Sequence, residues 1–254
     1  MNRAYRWLNA FGLLIVIVVN ALAVTLPLGG KTTAQLAAQY PILFMPAGYA
    51  FSIWSLIYLL LAGFVIYSFL PSGRASKLPA QIGILFFVSC LFNAAWIFAW
   101  QYEKVYASVF IMLALLITLI AIYTRVRTPG WQTATTGERF FVNLPFSLYL
   151  GWISVATIVN ITSALYKSGW QGFGLSETTW TIILLAVATL IALSLGWSYR
   201  DAAFVAVFIW AFIAIIVKQQ EHEAIVFSTL AVTIVLVLFI VFLLVLKLRR
   251  NRGW

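Results

Sequence analysis

Along three apolar stretches of the chain, aromatic and amide side chains recur at helical spacing. Phe51, Trp54, Tyr58 and Ala62 stand at i, i+3, i+7 and i+11, so a helix lines them along one face. Ser89, Asn93, Trp96 and Trp100 repeat the pattern, as do Tyr149, Trp152, Ala156 and Asn160. Asn9 and Asn20, eleven residues apart, fall nearly one above the other on a further helix. These side chains neither give nor take protons readily at neutral pH. Their chemistry is to stack on a flat apolar molecule and to orient it with a few hydrogen bonds from indole, phenol and carboxamide groups.

The same groups also serve ordinary helix packing, where a polar bond across membrane helices contributes about 0.6 kcal/mol on average. Three stripes of one composition argue for more, because an indole N–H or phenol O–H in hydrocarbon needs a partner. Converging on one bundle axis, they would satisfy one another and enclose an aromatic pocket. Acid–base and metal chemistry have no such footing. All six acidic residues and the single histidine, His222, map to loops or helix ends, which leaves the apolar interiors without a proton-transfer or metal-ligating set. The expectation is a protein that is not an enzyme, binds no metal and requires no cofactor. A proton-coupled carrier is also disfavoured, since such carriers keep an ionisable group within the membrane.

The elements that must position these stripes are readable from composition. The chain is 64% hydrophobic and 9% charged, and apolar runs of about 20 residues recur along it, as in transmembrane helices. The expected fold class is all-α, a polytopic transmembrane helical bundle of about eight spans. An outer-membrane barrel is excluded, because its strands alternate apolar and polar residues. The formal charge of +10 sits between the spans, so it reports topology and gives no reason to expect nucleic acid as a partner. The lone cysteine, Cys90, lies inside an apolar run and reads as a small packing residue.

Charges and Gly/Pro clusters divide the apolar runs into helices near 7–28, 47–70, 80–101, 104–124, 141–166, 178–197, 202–217 and 224–246. The seventh barely reaches across a hydrocarbon core of about 30 Å. With this division, twelve Lys and Arg residues fall on the side of the N-terminus and four, Lys31, Lys104, Lys167 and Lys218, on the other. That bias places both termini in the cytoplasm, in a multi-pass protein of the cytoplasmic (inner) membrane. Arg3, Arg6 and the small residues at 21–23 resemble a cleavable signal, but the apolar run from Phe11 to Leu28 exceeds the usual 7–15-residue core, so retention is expected. The pair Arg200–Asp201 falls in a short hairpin, where charges are expected to be solvated. The basic tail from Lys247 to Trp254 reads as fixing the C-terminus in the cytoplasm.

The stripes lie within motifs that resemble a known family. "PAGYAFSIWSLIY" (46–58), "NAAW" (93–96) and "WISVATIVN" (152–160) are similar, in order and by helix, to the second-, third- and fifth-helix motifs of the TspO/MBR family, the tryptophan-rich sensory proteins and translocator protein. The resemblance covers residues 1–166. It implies a five-helix bundle whose pocket binds porphyrins, haem-like molecules and other hydrophobic ligands. Carried over residue by residue, Trp54, Tyr58, Asn93, Trp96, Trp152, Ala156 and Asn160 are the ligand-binding candidates, and Pro46 and Gly48 form the bend entering the second helix. The expected organisation is thus a TspO/MBR-like bundle over 1–166 and three additional helices with a basic tail over 167–254.

The expected function is that of an integral membrane binding protein or sensor for a hydrophobic, porphyrin-like small ligand. A transporter or facilitator of small hydrophobic compounds is the alternative, and a tetrapyrrole-modifying membrane enzyme the third. The expected partners are the ligand and the lipid bilayer. A homodimer is open but has no sequence support, since no Gly-x-x-x-Gly pair lies in a span.

Overall fold

The computed structural model describes residues 1–26, 28–127 and 134–251, so the end of the basic tail, from Arg252, lies outside them. Among the described residues there are helices and no strands. The apolar helices are α1 (Arg3–Thr25), α2 (Ile53–Phe69), α3 (Leu85–Gln101), α4 (Val105–Arg127), α5 (Leu144–Lys167), α6 (Glu177–Tyr199), α7 (Ala202–Lys218) and α8 (Glu223–Asn251). Six of these regions, counting the run-in turns Gly48–Ser52 and Thr136–Asn143 with α2 and α5, are long and apolar enough to cross a membrane. The chain is a polytopic helical membrane protein. Leu and Phe side chains stay exposed along its helices, for example Leu59, Phe110 and Leu238, as lipid contact requires.

Helices α3 and α7 have 17 residues each, about 26 Å at 1.5 Å per residue and short of a ~30 Å core. The shortness of α7 matches the sequence. That of α3 does not, because the expected helix over 80–101 is broken: Lys77–Ile82 forms a separate short helix, ended by Gly83 at φ 55°. Only glycine takes that backbone shape without cost.

The chain divides into two compact units, residues 1–36 with 51–153, and residues 37–50 with 154–254. The division runs through α5 and assigns the segment before α2 to the C-terminal helices, whereas the sequence segments 1–166 and 167–254 follow the motifs.

In the first unit α1 packs on α2 and α3, and α3 on α4. Gly12 sets the distance between α1 and α3, since a Cβ there would stand 2.8 Å from Cδ2 of Phe87 and 3.2 Å from Cβ of Cys90. Cys90 is buried at this contact, as a packing residue would be. The run-in to α5 starts with a capping box, Thr135 with Glu138, and Glu138 also accepts from Oγ of Ser76. A π turn at Arg139–Asn143 follows, just before Pro145. The proline has no N–H to give, so the wider turn sits where the helical ladder already lacks a donor.

In the second unit α6, α7 and α8 each contact the other two. The buried face of α6 carries Ala188, Ala192 and Gly196, four residues apart, which lets neighbouring backbones approach. The approach is closest at Gly196, where a Cβ would stand 2.6 Å from Cγ2 of Val205 on α7 and 2.8 Å from Cε1 of Phe239 on α8. A tight turn then joins α6 to α7. Arg200 closes α6 in a left-handed conformation (φ 50°, ψ 43°), with its guanidinium 3.9 Å from the centre of the Trp197 ring. Asp201 is 3% exposed and caps α7, accepting from the N–H groups of Ala203 at 3.1 Å and Phe204 at 3.2 Å. The expectation of a solvated charge at Asp201 is therefore corrected. The first amides of α7 have no helical partner, and the carboxylate is drawn inward to satisfy them.

Segment 37–50 is tied to α7. The N–H of Ala47 donates to the carbonyl of Ala214 at 3.0 Å, and Nε1 of Trp210 donates to the carbonyl of Ala50 at 3.0 Å. Nε2 of Gln219 reaches the carbonyl of Ile42 at 3.4 Å.

Candidate ligand-binding site

The stripe of α2 turns inward. Trp54 is 9% exposed, and its ring stacks on Tyr58 one turn later, with centroids 5.4 Å apart and planes at 15°. From α5, Tyr149 and Trp152 meet Trp54 edge-on at 5.9 and 6.3 Å. Phe51 closes the group against Trp152 at 5.9 Å. Each contact has the edge-to-face or offset geometry that aromatic quadrupoles favour.

Asn93, on α3, is the polar hub. Its Oδ1 accepts from Nδ2 of Asn20 on α1 at 2.9 Å and from the hydroxyl of Tyr58 on α2 at 3.3 Å. Its Nδ2 donates to the hydroxyl of Tyr149 on α5 at 2.9 Å. Asn93 is 1% exposed, so these bonds are what allow a carboxamide at this depth. Nδ2 of Asn20 donates in addition to the carbonyl of Val16 at 2.9 Å. By contrast, the indole N–H groups of Trp54 and Trp152 reach no protein acceptor among the described residues. The cluster thus has a cross-linked amide–phenol side and two indole donors without a protein acceptor among the described residues.

Of the residues expected from sequence, Trp54, Tyr58, Asn93 and Trp152 come together in the first unit. Trp96 is buried on the same unit and stacks on Trp100, with centroids 5.7 Å apart; Nε1 of Trp100 donates to the carbonyl of Thr33 at 3.4 Å. Ala156 and Asn160 lie on the part of α5 that belongs to the second unit. Asn160 is 2% exposed, and Ala156 is half-buried. Pro46 is buried, and Gly48 opens the 3₁₀ turn that leads into α2. A cavity of about 310 Å³ lies in the second unit, between the end of α5 and the start of α6, and none of these candidates lines it.

Some participants were not chosen from sequence. Tyr149 and Asn20 stood in the stripes but were not carried over as ligand-binding candidates, although their hydrogen bonds to Asn93 place them in the cluster. Gln101 gave no signal, since it ends a helix next to charged residues. It is 2% exposed, and its Nε2 donates to the carbonyl of Ala23 at 3.2 Å and to Oγ1 of Thr33 at 3.4 Å. Arg127 likewise counted only as a basic loop residue. It is 7% exposed at the end of α4 and donates to Oγ of Ser147.

A family model described as TSPO-like protein matches residues 6–243. The match runs through α6, α7 and most of α8, which corrects the extent of the resemblance: the motifs stopped at 166, while the family continues. The last three helices carry apolar pattern without a distinctive motif, so motif reading could not reach them. No curated protein matches the chain, and no solved structure does.

Proposed function

This chain belongs to the TSPO-like protein family, and on that premise we propose that it is a membrane binding protein or sensor for a flat, hydrophobic, porphyrin-like ligand. The ligand lies against Trp54 and Trp152. The two rings stand nearly perpendicular, so the ligand stacks on one indole and meets the other edge-on, and an indole N–H donates to a carboxylate or carbonyl on its edge. The observation that carries this reading is the contrast inside the cluster. Asn93 bonds Asn20, Tyr58 and Tyr149, whereas the N–H groups of Trp54 and Trp152 have no protein acceptor among the described residues. Neither is sealed among the fully buried unpartnered atoms, so both remain open to a guest.

The role is one of binding and not of catalysis, because rings, carboxamides and phenols at neutral pH supply no acid–base pair. The distribution of Lys and Arg supports the cytoplasmic membrane, with both termini on the cytoplasmic side.

The test is titration of the full chain, in detergent micelles, with a free-base porphyrin, followed by tryptophan quenching and by the porphyrin's own absorbance. Trp54→Ala and Trp152→Ala are each expected to weaken binding about tenfold, in keeping with the loss of one aromatic face and one donor, while helix content stays at the wild-type level. Wild-type affinity in both variants would remove the cluster from the site.

A further inference from the structure

The cavity in the second unit is built by the last turns of α5, the loop that follows and the first turns of α6, with Ile42 and Leu43 on one side. Its volume of about 310 Å³ is at the small end of ligand pockets. The loop that walls it is tightly curled, since Gly169, Gly172, Phe173 and Gly174 all have positive φ, at 71°, 62°, 52° and 81°. The indole N–H of Trp180 donates to the carbonyl of Gly172 at 2.7 Å, which pins the loop to α6. A Cβ on Gly172 would stand 3.0 Å from that indole nitrogen, so glycine is what lets the ring close on the loop. The rings of Trp170 and Trp180 lie 5.0 Å apart, and Tyr166 lines the same space.

The charge of the lining is one-sided. With its N–H spent, Trp180 has only ring surface to offer. The hydroxyls of Thr162 and Thr181 donate to the carbonyls of Ile158 and Glu177, which leaves oxygen lone pairs for a guest. Glu177 is the one charged residue among those lining the cavity, and it has no ion pair among the described residues. Ring faces, lone pairs and a carboxylate all favour positive charge, while Leu165 and Leu184 favour an apolar body. The carboxylate also offsets the positive end of the α6 dipole, which would otherwise repel a cation. We propose that this cavity is a second binding site, for a small hydrophobic organic cation of the aryl-ammonium type, its charge held between the indole rings and Glu177. It shares no residue with the cluster around Trp54 and goes beyond the function proposed for that cluster.

The experiment is equilibrium dialysis of phenyltrimethylammonium against the full chain in detergent micelles, with tert-butylbenzene, which has the same shape and no charge, as competitor. Saturable binding at one site is expected, weakened about tenfold by Glu177→Gln and by Trp170→Leu and unchanged by Trp54→Ala, with tert-butylbenzene competing at least about tenfold less well than unlabelled cation. Circular dichroism of each variant checks that helix content is kept; Glu177 is exposed, so its change to Gln leaves the fold undisturbed. The proposal is overturned by absence of saturable binding, by wild-type affinity in Glu177→Gln, by equal competition from the neutral compound, or by a matching loss in Trp54→Ala.

Discussion

In the first unit one carboxamide ties together side chains from separate helices: Asn93 on α3 bonds Asn20 on α1, Tyr58 on α2 and Tyr149 on α5. In the second unit the buried hydroxyls of Thr181, Thr189, Thr229 and Thr233 each bond a carbonyl one turn back in their own helix, as Ser68 and Ser89 also do beside the network of the first unit. Both arrangements satisfy buried polar atoms, yet they differ in consequence. A hydroxyl bonded within its own helix is indifferent to its neighbours. A side-chain network holds only when every helix is in register, and it leaves defined groups over for a guest. Where neighbouring helices of the second unit come closest, they do so through small residues, Ala188, Ala192 and Gly196.

The largest effect expected from this contrast is at Asn93. Asn93→Leu strips Tyr58, Tyr149 and Asn20 of a shared partner in an apolar interior, and should cost about 3 kcal/mol, read as a lowered unfolding midpoint in detergent. Gly196→Ala comes next. The added methyl meets Val205 and Phe239 at contact distances no carbon tolerates, and should cost about 2 kcal/mol through displaced helices, seen in the same unfolding measurement. The smallest effect belongs to Thr229→Val. This residue is fully buried, but its hydroxyl serves only its own helix, so the cost should stay below about 0.5 kcal/mol. Equal losses for Asn93→Leu and Thr229→Val would abolish the distinction between the units, while a Gly196→Ala loss above that of Asn93→Leu would move the strongest constraint to the second.

Much of this fold was legible in order and kind. Each apolar run is bounded by charges or by Gly and Pro, and each became a helix, because a backbone in hydrocarbon must satisfy itself locally. The stripes were legible too: Trp54 and Tyr58 meet as their spacing requires, and Asn93 proved buried where an apolar run contained an amide. The break at Gly83 was missed, because a single glycine in an apolar run reads the same whether its φ is negative or positive. Asp201 was misread because charge suggests solvent until the turn that needs a cap is known. The small-residue face of α6 carries no Gly-x-x-x-Gly signature, since alanine serves equally where backbones approach.

What the sequence determined by itself was local: which segments are helical, which faces carry rings and amides, and the family to which the motifs point. Only the tertiary structure decided which of those faces meet, that segment 37–50 joins α7 through Ala47 and Trp210, and that Tyr166, Trp170, Trp180 and Glu177 surround a cavity. The physical reason is range. Helix formation depends on neighbours within a turn or two, which periodicity records, whereas a contact between residues 47 and 214 depends on how whole helices pack and leaves no periodic trace in the chain.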